Sequence, residues 1–330
     1  MLFSFLILSF SNLVGTMGAN NNFLLASAQT SNPPDFNFAA VGDWDCGSNS
    51  METADSVISV NPELVLGLGD YSYEGDADCW IDIIEPFEHI TKISIGNHDI
   101  SESSRSLGQY LDHFNMQEQF HSFDLHNIHF LALAPDDSFD VGSDQHDFAL
   151  ADLQAASADP DIDWIVVFLH YPLYEIPCSS SSTDSCDAED DFRNIYHPLF
   201  DQFNVDLVLF GNAHNYVRSF PIQHDSGTDD SPIIVNSNQD PNYVDPDGSI
   251  FIQSGVGGRS IRDLSGTENY LAFQDDREYG ILDINVINSN TNNLQLEGRF
   301  IQNDGDVIDQ FTITKQGDNI PPTETLTVIK

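Results

Sequence analysis

Residues 92–99, Lys92-Ile93-Ser94-Ile95-Gly96-Asn97-His98-Asp99, carry a short strand-like run straight into a glycine and three polar side chains. An apolar run that stops so abruptly reads as a buried strand delivering a loop. Working outward, the same theme recurs at Phe36–Val41, Leu64–Leu68, Ile128–Ala134, Trp164–Leu169 and Val205–Phe210. Amphipathic, helix-like stretches lie between these runs, near Thr53–Val60, Trp80–His89, Gln145–Ala156 and Asp190–Phe203. Strands alternating with helices predict an α/β layered sheet. After Gly211 the texture changes to short strands among Asn, Asp, Gly and Pro clusters, at Pro232–Val235, Ser249–Gln253, Gly280–Ile287 and Asn293–Phe300, which predicts a β-rich second half. No internal repeat or strong linker divides the chain.

The polar residues just past successive strand ends are Gly42-Asp43, Gly69-Asp70, Gly96-Asn97-His98-Asp99, His170 and Gly211-Asn212-Ala213-His214. Open α/β sheets gather ligands at this edge. Divalent or ferric ions take carboxylate and amide oxygens together with imidazole nitrogen, and five loops supplying Asp, Asn and His meet that demand. Glycine before four of these positions lets the backbone turn tightly and the side chain project inward. Taken singly each dipeptide is commonplace; their order along the chain is the signal.

Ten basic against 53 acidic residues give the 330-residue chain a formal charge of -43, which repels nucleic acid and anionic lipid surfaces. Most of those carboxylates read as a solvated coat that favours solubility. The apolar run Leu2–Phe10 and the later Ala26-Ser27-Ala28 suggest a signal peptide over residues 1–28 and a secreted or extracytoplasmic protein, although no Lys or Arg precedes the run. The run is too short to span a bilayer, and no later segment approaches about 20 apolar residues, so no membrane span is expected. Residues 29–315 then form one catalytic domain, and residues 316–330, with Pro321-Pro322, a flexible tail. Four cysteines suit an oxidising compartment and allow three connectivities; loop proximity favours Cys46 with Cys79 and Cys178 with Cys186.

The ordered set of loops resembles the calcineurin-like metallophosphoesterase superfamily, whose pattern is Gly-Asp, Gly-Asp, Gly-Asn-His-Asp/Glu, a lone His and Gly-His-x-His. The resemblance covers roughly Phe36–Arg218, and Gly255-Val256-Gly257-Gly258 and Val307–Thr314 look like the family's C-terminal strands. Within the superfamily the chain is most similar to purple acid phosphatases, through Gly42-Asp43-Trp44, Asp70-Tyr71-Ser72-Tyr73, His170-Tyr171-Pro172 and Asn215-Tyr216-Val217-Arg218. The resemblance implies a layered αββα sandwich with mixed sheets. It implies two metal ions: iron held by Asp43, Asp70, Tyr73 and His214, and zinc, manganese or iron sharing Asp70 and adding Asn97, His170 and Asn212. It implies hydrolysis of a small-molecule phosphoester by a metal-activated water, with His98 facing the phosphate as general acid. Asp99 either orients a neighbouring group or caps its loop. Phosphodiesterase or nucleotidase chemistry on the same fold, and a secreted metal-binding interaction protein that has lost turnover, are the alternatives.

Three departures from the family pattern matter. Asn212 stands where the family has a second-metal His, and its amide is the weaker donor. Asp45 stands where purple acid phosphatases have Gly and other members a ligating His, so it is a further candidate ligand, in competition with Tyr73. A second substrate-facing His is missing from Tyr171–Cys186, leaving His197 and His224 as candidates by default.

Overall fold

The computed structural model describes residues 33–316 apart from 74–75, 101–105, 179–185, 187, 228–230, 239 and 289–292. The expected signal peptide (residues 1–28) and nearly all of the expected tail lie outside the described residues. In chain order the first part holds β1 (Phe36–Val41), α1 (Ser48–Val60), β2 (Leu64–Leu68), α2 (Asp78–Ile84), β3 (Thr91–Ser94), α3 (Ser106–His113), β4 (His121–Leu125), β5 (Ile128–Ala132), α4 (Asp144–Ala156), β6 (Trp164–Phe168), α5 (Asp190–Gln202) and β7 (Leu207–Phe210). The rest is strand: β8 (Tyr216–Ser219), β9 (Ile222–Gln223), β10 (Ile233–Ile234), β11 (Asn242–Val244), β12 (Ile250–Ser254), β13 (Leu271–Asp275), β14 (Gly280–Ile287), β15 (Asn293–Gln302) and β16 (Val307–Gln316).

These strands form two seven-stranded mixed sheets and one two-stranded ribbon, β10-β9. The first sheet runs β11-β16-β15-β14-β1-β2-β3 and the second β13-β8-β12-β7-β6-β5-β4. In the first, β1, β2 and β3 are parallel; in the second, β5, β6, β7 and β12 are. Side-chain alternation along a strand explains how the sheets stack. Phe36, Phe38 and Ala40 of β1 and Leu64, Leu66 and Leu68 of β2 pack against Phe130, Trp164, Val166, Phe168, Leu207 and Leu209 of the opposing sheet in one shared core. The alternate residues, Val41, Val65 and Ile93 among them, face Ala54, Val57, Trp80 and Ile84 on the outer helices α1 and α2. On the other side Ile165, Val167 and Val208 meet Ala149 and Leu153 of α4 and Phe192, Tyr196 and Phe200 of α5. Because both faces of each parallel block are covered, strands such as β2, β6 and β7 are apolar throughout rather than alternating with polar residues. The result is the αββα sandwich with mixed sheets.

Several expected elements shift. The helix expected over Trp80–His89 ends at Ile84, where Pro86 cannot continue it, and a 3-10 turn, Glu88–Ile90, follows. Residues 255–258, expected as strand, form a loop after β12. Helix α3 and strands β4, β8, β9, β11 and β13 had no counterpart among the expected elements. Both disulfides are those favoured by loop proximity, Cys46–Cys79 and Cys178–Cys186.

Candidate metal centre

Asp43 follows β1, Asp70 follows β2, Asn97 and His98 follow β3, His170 follows β6, and Asn212 and His214 follow β7. All these strands belong to the two parallel blocks, so their carboxyl ends open on one edge of the sandwich. The structure brings Asp43, Asp70 and His170 closest: one ligand atom from each lies within 4.8 Å of the others, and all three side chains are buried. His214 Nε2 stands 3.3 Å from Asp43 Oδ1, and the Tyr73 hydroxyl lies 3.1 Å from both of those atoms. His170 Nε2 stands 3.4 Å from Asp70 Oδ2.

The backbone is bent to achieve this. Asp43, Asp45, Asp70, Tyr73, Asn212 and His214 all have φ between 48° and 80°, a left-handed conformation that costs a non-glycine residue about 1 kcal/mol or more. Six strained residues around one small volume are held there by hydrogen bonds between loops. Asp43 N–H donates to the Gly69 carbonyl at 3.0 Å, Trp44 N–H to Asp70 at 2.9 Å, and Asn212 N–H to Asp43 Oδ2 at 2.7 Å. Asp99, wholly buried, accepts from the N–H groups of Asp70, Tyr71 and Gly96 at 2.8–3.0 Å and so clasps the loops after β2 and β3. It is a loop clasp, the second of the two roles left open for it. The glycines matter for room: a Cβ at Gly96 would come within 2.4 Å of Asp70 Oδ1, and one at Gly211 within 2.6 Å of Asp43 Oδ2.

The electrostatics favour a cation. Burial alone would drive Asp70 towards its neutral form, but His170 and His98 hold its pKa below the usual carboxylate range. Burial likewise opposes a charged His170, yet the Asp70 and Asp43 carboxylates push its pKa up to about 10. Burial and the same two carboxylates push the Tyr73 phenol well above its ordinary value. His170 Nδ1 donates to the Leu68 carbonyl at 2.7 Å and His214 Nδ1 lies 2.9 Å from the Ser260 carbonyl. Fixing one ring nitrogen in this way leaves the other, Nε2, turned towards the carboxylates and able to serve a metal ion.

The residues fit a metal centre by a second criterion. Asn97 Oδ1, His170 Nε2 and Asn212 Nδ2 are buried without hydrogen-bond partners among the described residues. Buried polar atoms are rarely left unmet, and three on the loops of this one edge suit a ligand. At Asn212 a turn of the amide exchanges nitrogen for oxygen, which offers a donor atom instead.

His98 stands apart from the buried set. Its side chain is 48% exposed, Nε2 is 3.9 Å from Asp70 Oδ2, and its ring lies 4.4 Å from that of Tyr73. Asp45 pairs with Arg259, Oδ2 to Nη1 at 2.9 Å. His197 is fully buried, with Nδ1 2.7 Å from the Tyr174 hydroxyl, so it is closed to substrate. His224 Nε2 lies 3.3 Å from Asn194 Oδ1.

The loop of residues 255–262 also belongs to this edge. Its Arg259 N–H donates to the Asp43 carbonyl at 2.9 Å and its Arg262 N–H to that of His214 at 3.0 Å. A double glycine just past the apolar run Ser249–Gln253 was the available signal for it.

The calcineurin-like phosphoesterase family model matches residues 36–216, more than half of the chain. An uncharacterized protein of Mycobacterium tuberculosis is 36% identical over 121 residues, 36% of this chain and 22% of that protein. Acid phosphatase type 7 of Danio rerio is 27% identical over 290 residues, covering 77% of this chain and 62% of its own. The solved purple acid phosphatase from yellow lupin (Lupinus luteus) seeds superposes with a TM-score of 0.74 at 21% identity, over 86% of this chain and 54% of that one. The chain thus spans between about a fifth and three fifths of the length of these curated relatives. With the sandwich, the order of its loops and the family match in agreement, the chain belongs to the calcineurin-like phosphoesterase family.

Proposed function

We propose that the protein hydrolyses phosphate monoesters at a dinuclear metal centre, in the manner of an acid phosphatase. The observation that carries this reading is the buried trio Asp43, Asp70 and His170, with the unmet atoms of Asn97 and Asn212. In this reading Asp43, Asp70, Tyr73 and His214 hold the first ion, iron, while Asp70, Asn97, His170 and Asn212 hold the second, zinc, manganese or iron. Such ions would supply positive charge for the phosphoryl oxygens and lower the pKa of the attacking water.

The chain's own residues do the rest. Asp70 receives the His98 N–H on Oδ1 at 2.8 Å and presents Oδ2 towards His170, so its two oxygens are held apart and aimed. In this reading the His98 imidazole, exposed at the edge of the site, gives a proton to the leaving alcohol oxygen. The buried floor of apolar strand ends, Val41, Leu68 and Phe210, keeps bulk water from reaching the ligands from beneath. The pairing of Asp45 with Arg259 supports Tyr73 rather than Asp45 as the ligand. The Tyr73 phenol, buried beside Asp43 and Asp70, would ionise only with a cation next to it. Two disulfides support export to an oxidising compartment.

The test is a panel of p-nitrophenyl phosphate and bis(p-nitrophenyl) phosphate at several pH values, alongside metal analysis of the purified protein. Monoester turnover with metal bound upholds the proposal. Diester preference would point to a phosphodiesterase of the same fold. Bound metal with no turnover would favour the metal-binding alternative, to which Asn212 in the place of a family His and the tail after Pro321 give a foothold.

A further inference from the structure

The loop of residues 255–262 is fixed to the candidate centre by its backbone. Gly257 and Arg259 N–H groups donate to the carbonyls of Gly42 and Asp43, each at 2.9 Å, and the Ser260 carbonyl lies 2.9 Å from His214 Nδ1. A Cβ at Gly257 would sit 2.6 Å from the Gly42 carbonyl oxygen, so only glycine lets the loop lie this close. The loop therefore delivers the Arg259 side chain to one place. Its guanidinium carbon stands 4.3 Å from the centre of the Tyr73 ring, and Nη1 bonds Asp45 Oδ2 at 2.9 Å. Tyr73 touches Asp43 and His214 through its hydroxyl and His98 through its ring. Guanidinium, phenol and imidazole thus form a continuous rim beside the buried Asp43, Asp70 and His170.

Charge makes this placement notable. The chain has only ten basic residues against 53 acidic ones. Arg193, Arg218, Arg277, Arg299 and Lys315 are each tied to carboxylates away from the centre. Arg259 is 40% exposed, and among the described residues Asp45 is its one side-chain hydrogen-bond partner, through Nη1 alone. An exposed pair of this kind adds little to stability, so folding does not explain why a scarce cation is kept at this rim.

We propose that Arg259 is a specificity-determining residue, donating its remaining N–H groups to the terminal oxygens of the substrate's phosphoryl group, with Asp45 as the positioning residue that aims it. A planar guanidinium fork bonds two non-ester oxygens; a monoester dianion offers three such oxygens carrying two negative charges, whereas a diester offers two carrying one, so the charge-assisted bonds are stronger to the monoester. The rim cation therefore discriminates for monoesters and for inorganic phosphate. This inference rests on the phosphoesterase reading above and refines which ester the site takes.

The test compares wild type with Arg259→Met, which keeps an apolar stem over Tyr73, Arg259→Lys and Asp45→Asn. Inorganic phosphate binding to the manganese-loaded protein is measured by calorimetry, and hydrolysis with the two p-nitrophenyl esters. Arg259→Met should weaken phosphate binding and raise the monoester KM by about tenfold, while diester kcat/KM changes less than about threefold and manganese content stays the same. Arg259→Lys, which keeps the charge and loses the fork, should weaken phosphate by about threefold, as should Asp45→Asn. Equal losses on both esters, or unchanged phosphate affinity, overturn the proposal. Should Arg259→Met fail to fold, the lysine variant decides by the same comparison. If wild type hydrolyses neither ester, the phosphoesterase reading falls while phosphate binding still judges Arg259: a dependence on Arg259 upholds it, and equal or absent binding overturns it.

Discussion

Replacing Asp99 by asparagine takes away one of the two oxygens that clasp three buried N–H groups. Oδ2 accepts from Asp70 at 2.8 Å and Gly96 at 2.9 Å, and Oδ1 from Tyr71 at 3.0 Å. An amide turned to keep the first two bonds sets its own NH2 against the Tyr71 N–H. That leaves a buried donor unmet, which costs about 1–3 kcal/mol, and the two surviving bonds lose their charge assistance, about 1 kcal/mol each. Against this, burial and the neighbouring Asp70 charge push the Asp99 pKa up to about 7, so a neutral side chain relieves part of an existing cost. The net loss should be about 2–3 kcal/mol, a fall in Tm of roughly 3–5 °C for a domain of this size. The larger consequence falls on the ligands, because the clasped loops carry Asp70 and Asn97. Metal affinity should drop by about 10–100-fold, the usual effect of removing a group that orients a ligand. Denaturant melts and manganese titrations of both proteins measure the two effects. A variant within about 0.5 kcal/mol of wild type, with unchanged metal affinity, would refute the clasp.

Three further outcomes follow from particular contacts. His98→Ala should lower turnover by about 10² or more with both ions retained, since it removes a proton donor and no ligand; kinetics with metal analysis checks this. Gly96→Ala, whose Cβ would meet Asp70 Oδ1 at 2.4 Å, should fold yet bind metal poorly, which calorimetry with manganese detects. His129 lies between Asp152 and Asp124, at 2.8 and 2.7 Å; burial opposes its charge, but the two carboxylates raise its pKa above 6.5 in the folded state. Its stabilising contribution is therefore complete below about pH 6.5 and lost as pH rises through the raised value, so His129→Gln should destabilise at pH 6 and much less at pH 9. Melts at the two pH values decide, and an equal effect at both would contradict the sign.

Much of the fold was legible because both faces of the parallel strands are buried. Leu64–Leu68 is apolar throughout and Phe36–Val41 is apolar but for Asn37, and both match the observed strands residue for residue. Elements that lean on tertiary contacts were not legible: β4, His121–Leu125, is a half-buried edge strand paired on one side with β5, and α3 contains Gly108. The order of Asp43, Asp70, Asn97, His170 and His214 could be read because each follows a strand end. Which of its two roles Asp99 fills could not, since its partners Asp70 and Tyr71 lie 29 and 28 residues away and are brought together by the pairing of β2 with β3. Arg259 was hidden for the same reason: its contacts with Asp45 and Tyr73 span more than 180 residues, and no local pattern records them.

The most direct test of the dinuclear hydrolase is a titration of the metal-stripped protein with manganese while p-nitrophenyl phosphate hydrolysis is followed. The account predicts no turnover without metal and a rise that saturates once two ions are bound per chain, with Asp70→Ala abolishing it because that side chain faces both groups of ligands. Saturation at a single ion, or turnover indifferent to metal, would contradict it.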